Sequence, residues 1–478
     1  MLFNSVAFMV FLPIVFILYW SIPGKYRWVL LFVSSYYFYM SWNIKYVVLI
    51  LFTTMISYCA ARFIEKCAAN FVRKLILYGT VIACLGVLFF FKYYDFFSTN
   101  VVEFFELFAI RLHPVTLNLL LPVGISFYTF QTLSYVVDVY RGEVKAEKHF
   151  GIYATFISFF PQLVAGPIER TKNLLPQIKK IHQFDYDRAT YGLKLMTWGF
   201  FKKLVIADVL AVYVDRIYNN PYNFTGFSLI LATLFFSIQI YCDFSGYSDI
   251  AKGTANLMGI DLVYNFKSPY FSSSIKEFWS RWHISLSTWF RDYVYIPLGG
   301  NRGSKIRRNR NLLITFLVSG LWHGANWTFL IWGGVHGLAQ IFENIFKVHR
   351  SHDVNKLEIW ASRLCIFVFC SFAWIFFRAN TITDVGYIIS HALNGVTSLF
   401  QYLKMGFIDI GMDEKDLILV MMNIMLLFIY DWFSMKTDVI KWISSKRLAV
   451  RYSCYFGLLI IIMLFKASGE ATFVYFQF

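Results

Sequence analysis

The sequence predicts an all-α integral membrane protein, a multi-helix bundle of about eleven to thirteen membrane passes or part-passes. Three observations predict it. First, 58% of the 478 residues are hydrophobic, 21% aromatic and only 15% charged, with a mean hydropathy of +0.55, far from the balance of a soluble globular domain. Second, six runs each approach the roughly 20 apolar residues that cross a hydrocarbon core: VAFMVFLPIVFILYW, LILYGTVIACLGVLFFF, LILATLFFSIQIY, LCIFVFCSFAWIFF, LILVMMNIMLLFIY and YFGLLIIIMLF. Third, the polar loops between the runs are short and basic.

The amino terminus, MLFNSVAFMVFLPIVFILYW, has no basic n-region and no small-residue cleavage site, so it reads as a retained first span. The basic loops are ARFIEKCAANFVRK, RGEVKAEKHF, ERTKNLLPQIKKIHQFDYDR, GGNRGSKIRRNR, KVHRSHDVNKLE and SMKTDVIKWISSKR. They account for the net charge of +16 and are expected to be mostly cytoplasmic. No basic stripe interleaved with exposed aromatics is present, which argues against nucleic acid as a partner. The seven cysteines contain no C-x-x-C pair. They suggest packing rather than a disulfide framework or a thiolate metal site, and no metal is expected. No fixed-period repeat or long linker divides the chain. It reads as one polytopic membrane domain over residues 1–478 with a catalytic core over about 121–345.

That central region differs in kind. Its apolar runs are punctuated by Gly, Pro and polar residues: LPVGISFYTFQTLSYVVDVYRG, FFPQLVAGPIER, QIYCDFSGYSDIAKG and SPYFSSSIKEFWSRWHISLSTWFRDYVYIPLGG. Polar or broken backbone at membrane depth persists only against protein or a water-filled cavity. The central third is therefore expected to surround an internal chamber.

In SSSIKEFWSRWHISLSTWFRDY, Ser274 and Glu277 have the spacing of a capping box. Beyond them Trp279, Trp282, Leu286, Trp289 and Tyr293 recur at helical spacing as an apolar face. Lys276, Ser280, His283, Ser287 and Arg291 form a polar stripe opposite. One helix is expected throughout, with His283 on its hydrophilic seam; an interfacial amphipathic helix is the alternative. Arg281 and Ser285 flank His283.

GGNRGSKIRRNR carries five basic residues and no acid. It can be a topology anchor, and Arg302, Lys305, Arg307 and Arg308 can also attract a phosphorylated donor such as a coenzyme A thioester. A helix starting just after Arg310 would carry His323 roughly 20 Å inward, past the midplane of a core about 30 Å thick. In SGLWHGANWTFLIWGG, Gly320 and Gly324 clear space around His323, with Trp322 beside it and Asn326 adding a second polar group. A neutral imidazole there suits a general base; the alternative is a hydrogen-bonded packing residue. In one straight helix His336 would lie about 20 Å from His323 and on another face. Either Gly333 and Gly334 break the helix or His336 lines an access path, which makes His283 the better partner for His323.

Other signals are weaker. HQFDYD, with His182 and Asp187, lies in a basic polar loop, and His349 and His352 read as solvated. Asp243 and Asp249 are expected to bond to Ser, Tyr and Gln in the bundle, with a structural or a site role. No H-E-x-x-H, G-x-S-x-G, Walker A or G-x-G-x-x-G match occurs, which argues against zincin, serine-hydrolase, NTPase and dinucleotide chemistry.

Taken in order, PVGISFYTFQTLSYVVDVYRG, FFPQLVAGPIER, QIYCDFSGYSDIA, FWSRWHISLSTWFRDYVYIPLGGNR, GLWHGANWTFLIWGGVHG and the terminal FVYFQF closely resemble the membrane-bound O-acyltransferase family, within it the alginate O-acetyltransferase branch. The resemblance runs from near the amino terminus to about Arg378 and returns at the last residues. Between about Thr381 and Ala471 it holds only for hydrophobic spans. It implies a multi-helix fold around a tunnel, with His323 as the essential histidine and His283 as the assisting position. Arg281, Ser285, Asn326, His336, Trp322 and Asp243 are the candidates to line the tunnel or bind substrate. No bound cofactor is implied. The donor is acetyl-CoA, and the acetyl group passes to an exported polysaccharide, often through an extracytoplasmic acetyltransferase partner at a bacterial inner membrane. Two alternatives remain: D-alanyl or another acyl transfer to teichoic acid or peptidoglycan, and a polysaccharide transporter or flippase.

Overall fold

The computed structural model describes residues 1–164, 166–346, 355–467 and 473, and among them every regular element is helical. His349 and His352 fall outside the described residues, as does most of the terminal FVYFQF. Among the described residues six helices are long and apolar enough to cross a membrane: Ile44–Lys66, Asn70–Glu106, Phe227–Leu257, Lys356–Arg378, Glu414–Ser434 and Leu448–Phe465. Five contain runs singled out above; the sixth such run forms the 16-residue Val6–Ser21 helix with Pro13 inside it. The contrast between two spans shows what each faces. The apolar window of Phe227–Leu257 is 83% buried and that of Leu448–Phe465 is 0% buried, so the first is a core helix and the second a peripheral one that packs on the core only through partly buried residues such as Leu458, Ile461 and Phe465. Of the cysteines, Cys84, Cys242 and Cys370 are buried whereas Cys365 and Cys454 are exposed.

The chain forms two compact units, residues 1–196 with 250–263 and residues 197–249 with 264–478. In the first unit the Ile125–Tyr140 helix is buried along almost its whole length. It starts at Gly124, whose φ of 75° and close approach to the Leu163 carbonyl exclude a Cβ. Its buried Gln131 amide is satisfied at both ends: Nε2 donates to the Phe156 carbonyl at 2.8 Å, and Oε1 accepts from Gln162 Nε2 at 2.7 Å. Glu169 of the GPIER stretch is fully buried and accepts from the backbone N–H of Val263 and from Asn173 Nδ2, both at 2.6 Å. His182 gives its Nε2 to the Gln177 carbonyl at 2.8 Å, a local structural role.

The second unit contains a helical hairpin, Lys305–His323 followed by Trp327–Ile345. The first helix begins at Lys305, one and a half turns before the expected start, because Ser304 caps it by accepting from the Arg307 N–H at 3.2 Å. Its 19 residues span about 28 Å. The break also falls elsewhere than expected. Gly333 and Gly334 are helical, and the chain turns at residues 324–326, where Gly324 is extended and Asn326 is the next N-cap. Gly320 and Gly333 form the contact between the two helices. A Cβ on Gly320 would collide with the Phe329 carbonyl and lie 3.4 Å from Gly333 Cα; one on Gly333 would collide with the Phe316 carbonyl and lie 3.3 Å from Gly320 Cα.

The helix expected across residues 275–293 is two. Ile275–Arg281 ends, His283 adopts φ 42° and ψ 53°, and Ile284–Phe290 begins. The left-handed residue rotates everything after it, so the continuous polar stripe does not exist. Ser274 caps the first piece through the Glu277 N–H at 3.0 Å. The Glu277 carboxylate turns back to the N–H and hydroxyl of Ser273 instead of completing a capping box. Glu343 of the hairpin adds a second cap, accepting from Ile275 N at 2.5 Å and Lys276 N at 3.1 Å.

Two expectations follow. Gly320→Ala should lower the melting temperature of the detergent-solubilised protein by an amount equivalent to about 1–3 kcal/mol. Gly386→Ala, where nothing lies within 4 Å of the added carbon, should be neutral or slightly stabilising; equal behaviour of the two variants would discard the close-approach account. Glu169 lies outside the spanning helices, and burial pushes its carboxyl from 4.5 up to about 7, against the pull of its donors and Lys252. The folded protein therefore favours the protonated acid. Its contribution is present below pH 4.5 and lost as pH rises to about 7, a change of up to about 3 kcal/mol. Melting curves from acid to mildly alkaline pH should show the wild type losing stability relative to Glu169→Gln, and parallel profiles would contradict it.

Candidate active site

His323 is the last residue of the Lys305–His323 helix, so its position is set by where that helix stops. Gly324 permits the stop because a Cβ there would strike the Phe329 ring. Asn326 then starts the next helix, its Oδ1 accepting from Thr328 N at 3.0 Å and its Nδ2 donating to the Asn380 carbonyl at 2.8 Å. Both ends of the Asn326 amide are thus engaged in holding the hairpin tip. The His323 ring, 4% exposed, is walled by Trp322, Trp332 and Phe377 at centroid distances of 4.9, 5.1 and 5.2 Å.

The turn at residues 324–326 also changes the relation to His336. Trp332 stands edge-on to both imidazoles, 5.1 Å from His323 and 5.0 Å from His336, so the two are two ring contacts apart and not at opposite ends of one long helix. Trp279 Nε1 donates to His336 Nδ1 at 3.3 Å. An indole nitrogen only donates, so the proton of neutral His336 sits on Nε2. That Nε2 has no hydrogen-bond partner among the described residues. His336 thus offers a buried N–H, not a lone pair.

His283 arrives from a different element, and its left-handed backbone aims the ring back into the unit. Phe244 lies 4.5 Å from it edge-on and Trp322 6.2 Å. Trp322 therefore touches both His283 and His323. The group that orients His283 is Asn265, which the sequence reading missed. Asn265 Oδ1 accepts from Ser285 N at 3.2 Å and Ser285 Oγ at 2.8 Å, and faces His283 Nδ1 at 3.3 Å. A backbone N–H can only donate, so Oδ1 is the acceptor, His283 Nδ1 is the donor, and Nε2 of neutral His283 carries the lone pair. The Ile284 N–H bonds to the Asn265 carbonyl at 2.9 Å as well. Ser285, a candidate for substrate binding, takes part in this anchor. Arg281 is also engaged, with Glu277 at 2.8 Å and the Lys267 carbonyl at 3.4 Å.

Asp243 and Asp249, expected to bond to Ser, Tyr and Gln, have lysines as their charge partners. Lys203 Nζ lies 2.7 Å from Asp208 and 2.8 Å from Asp243, and Lys202 Nζ 2.6 Å from Asp249 and 2.9 Å from Ser245 Oγ. The two lysines project from a π-helical stretch, Phe201–Ala207, of the kind that recurs at functional sites. Gly246 lets this stretch approach, since a Cβ there would stand 2.7 Å from the Gly199 carbonyl. The signal was present as FFKK beside YCDFSGYSD: adjacent lysines in an apolar run need buried acids. Arg302, Lys305, Arg307 and Arg308 cluster at the amino end of the Lys305–His323 helix, after Gly299, Gly300 and Gly303 at φ 112°, 53° and 95°. Backbone amides, a helix dipole and guanidinium groups together suit an anion.

Residues 147–382 match the membrane-bound O-acyltransferase family. The chain is 39% identical over 385 residues to a Pseudomonas aeruginosa protein named "Probable alginate O-acetylase", covering 80% of this chain and 73% of the relative. It is 37% identical over 439 residues to a "Peptidoglycan O-acetyltransferase" of Helicobacter pylori, covering 83% and 81%. A "Teichoic acid D-alanyltransferase" of Streptococcus thermophilus is 30% identical over 285 residues, covering 55% of this chain and 66% of the relative. The transporter alternative gives way to an enzyme: this multi-pass, all-helical chain belongs to the membrane-bound O-acyltransferase family.

Proposed function

We propose that the protein moves an acetyl group from acetyl-CoA, bound from the cytoplasmic side, to a hydroxyl of an exported glycan or of an extracytoplasmic acetyltransferase partner, in the inner membrane of a bacterium. The observation that carries the reading is that His323, at the end of one helix, and His283, at the break between two others, both contact the Trp322 ring. His323 takes the proton of the attacking hydroxyl as its oxygen bonds to the thioester carbon. The carbon–sulfur bond then breaks, and the proton passes to the departing thiolate. A transient acetyl-imidazole on His323 balances the same atoms in two steps.

The Asn265 anchor refines the role of His283. With Nδ1 donating to Asn265, Nε2 of neutral His283 presents a lone pair, which receives a hydrogen bond from donor or acceptor and orients it. Stabilising an oxyanion would require the imidazolium. The aromatic wall around His323 excludes bulk water, which protects the thioester from hydrolysis and strengthens each polar contact made there. Acetyl is favoured over D-alanyl because the acetylating relatives match at 39% and 37% identity over four fifths of the chain, against 30% over 55% for the D-alanyl relative.

Membranes containing the wild type should transfer label from acetyl-CoA to glycan or partner, with a D-alanyl carrier as the parallel donor. His323→Ala should cut transfer at least about 100-fold, the scale of general-base loss, with unchanged melting temperature; undiminished transfer would end the catalytic assignment. Asn265 is a positioning residue. Asn265→Ala should lower kcat by about tenfold or more with KM for acetyl-CoA little changed and shift the pH–rate profile, because the His283 tautomer is no longer enforced. A rise in KM alone, with the profile unmoved, would show that Asn265 only packs.

A further inference from the structure

We propose that the first unit carries a binding site for phosphate esters, between the 143–148 loop and the amino end of the Thr171–Lys179 helix. A cavity of about 580 Å³ opens there, and Lys145, Lys148, Lys172 and Lys179 line it together with Glu143 and Glu147. The two carboxylates are already engaged. Glu143 pairs with Lys172 at 2.7 Å, and Glu147 pairs with Lys179 while accepting from the N–H groups of Lys148 and His149 at 2.9 Å each. Lys145 and Lys148 have no carboxylate partner among the described residues, and the balance of the lining is positive.

Two further features point to an anion. The nine-residue Thr171–Lys179 helix starts without a side-chain cap from its N-cap residue, and the positive end of its dipole faces the cavity that Thr171 and Lys172 line. Thr171 lines the same cavity, is 1% exposed, and its Oγ1 has no hydrogen-bond partner among the described residues. A buried hydroxyl left unbonded costs free energy that a ligand oxygen would recover.

The loop that carries the lysines is held before any ligand arrives. Glu143 N bonds to the Asp138 carbonyl at 2.9 Å, Ala146 N to Glu65 Oε1 at 3.0 Å and Glu147 N to Tyr135 OH at 2.8 Å. A fixed backbone presenting flexible ammonium groups beside a helix amino end suits a tetrahedral, multiply charged oxyanion. The ligand class is a phosphomonoester or diphosphate. It can come from the nucleotide portion of a thioester donor or from the headgroup of an anionic lipid. The site is built from first-unit residues alone, and it does not rest on any role of His323 or His283.

The test is direct binding to the full-length protein, without turnover. One arm titrates adenosine 3′,5′-bisphosphate into the protein in phosphatidylcholine nanodiscs. The other measures retention of phosphatidylglycerol over phosphatidylcholine by native mass spectrometry after extraction from mixed membranes. In one arm, the double substitution K145Q/K148Q and the single substitution T171V should each weaken binding at least about fivefold, whereas K145R/K148R and T171S should hold near the wild-type value. Loss in the first arm assigns a nucleotide ligand and loss in the second a lipid. Binding unchanged in both arms would overturn the proposal. So would an equal loss in K180Q, which removes a nearby charge outside the cavity, or in the charge-preserving pair. Melting temperature verifies that each variant is folded.

Discussion

Gly320 and Gly333 touch through their backbones, and much of the second unit depends on that contact. Within a membrane, lipid is as apolar as leucine, so helices associate by close approach and by polar contacts rather than by escaping water. With no side chain on either glycine the two helices of the hairpin close on each other, and the turn at residues 324–326 must then sit at their tip. His323 ends one helix and Asn326 starts the next, so a packing requirement becomes the address of an imidazole. The same closeness brings Trp332 between His323 and His336. From the far end of the hairpin Glu343 caps Ile275–Arg281, the helix that leads into His283.

His283 is held at a backbone angle that costs a residue with a Cβ about 1–2 kcal/mol. Asn265 offsets this by taking three hydrogen bonds on one oxygen and one on its carbonyl. The strained residue and its anchor form one device: the φ of 42° turns the ring and the amide fixes its proton. A continuous helix through this stretch would have put His283 on a wet outer seam, where neither would hold.

The buried lysines raise a different constraint. A single ammonium group in this environment would be expensive, and Lys203 meets two carboxylates at hydrogen-bonding distance. Such groups tie the Phe201–Ala207 stretch to the Phe227–Leu257 helix more specifically than apolar packing would, because a shift of one residue leaves a charge unpaired. Asp243 therefore takes part in a charge tie between two segments of the second unit. It fits the polar residues of YCDFSGYSD, with the lysine partners that a local reading of that stretch could not supply.

Hydropathy and charge along the chain were enough to determine a multi-pass helical protein, since crossing a bilayer imposes length, apolarity and satisfied backbone on every span. The ordered motifs carried the family, and the isolated polar residues among them marked His283 and His323. The hairpin turn was expected at Gly333 and Gly334 and lies instead at Gly324 and Asn326, a helix stop and a helix start two positions apart. What periodicity could not decide was the break at His283: the residues on either side keep helical spacing, and the reason for the left-handed turn is Asn265, eighteen positions earlier. The lysine partners of Asp243 and Asp249, the placing of Trp332 between two imidazoles and the proton positions on both rings were decided only by the tertiary structure. Each depends on a contact between segments distant in sequence, and local spacing holds no information about which distant group will arrive.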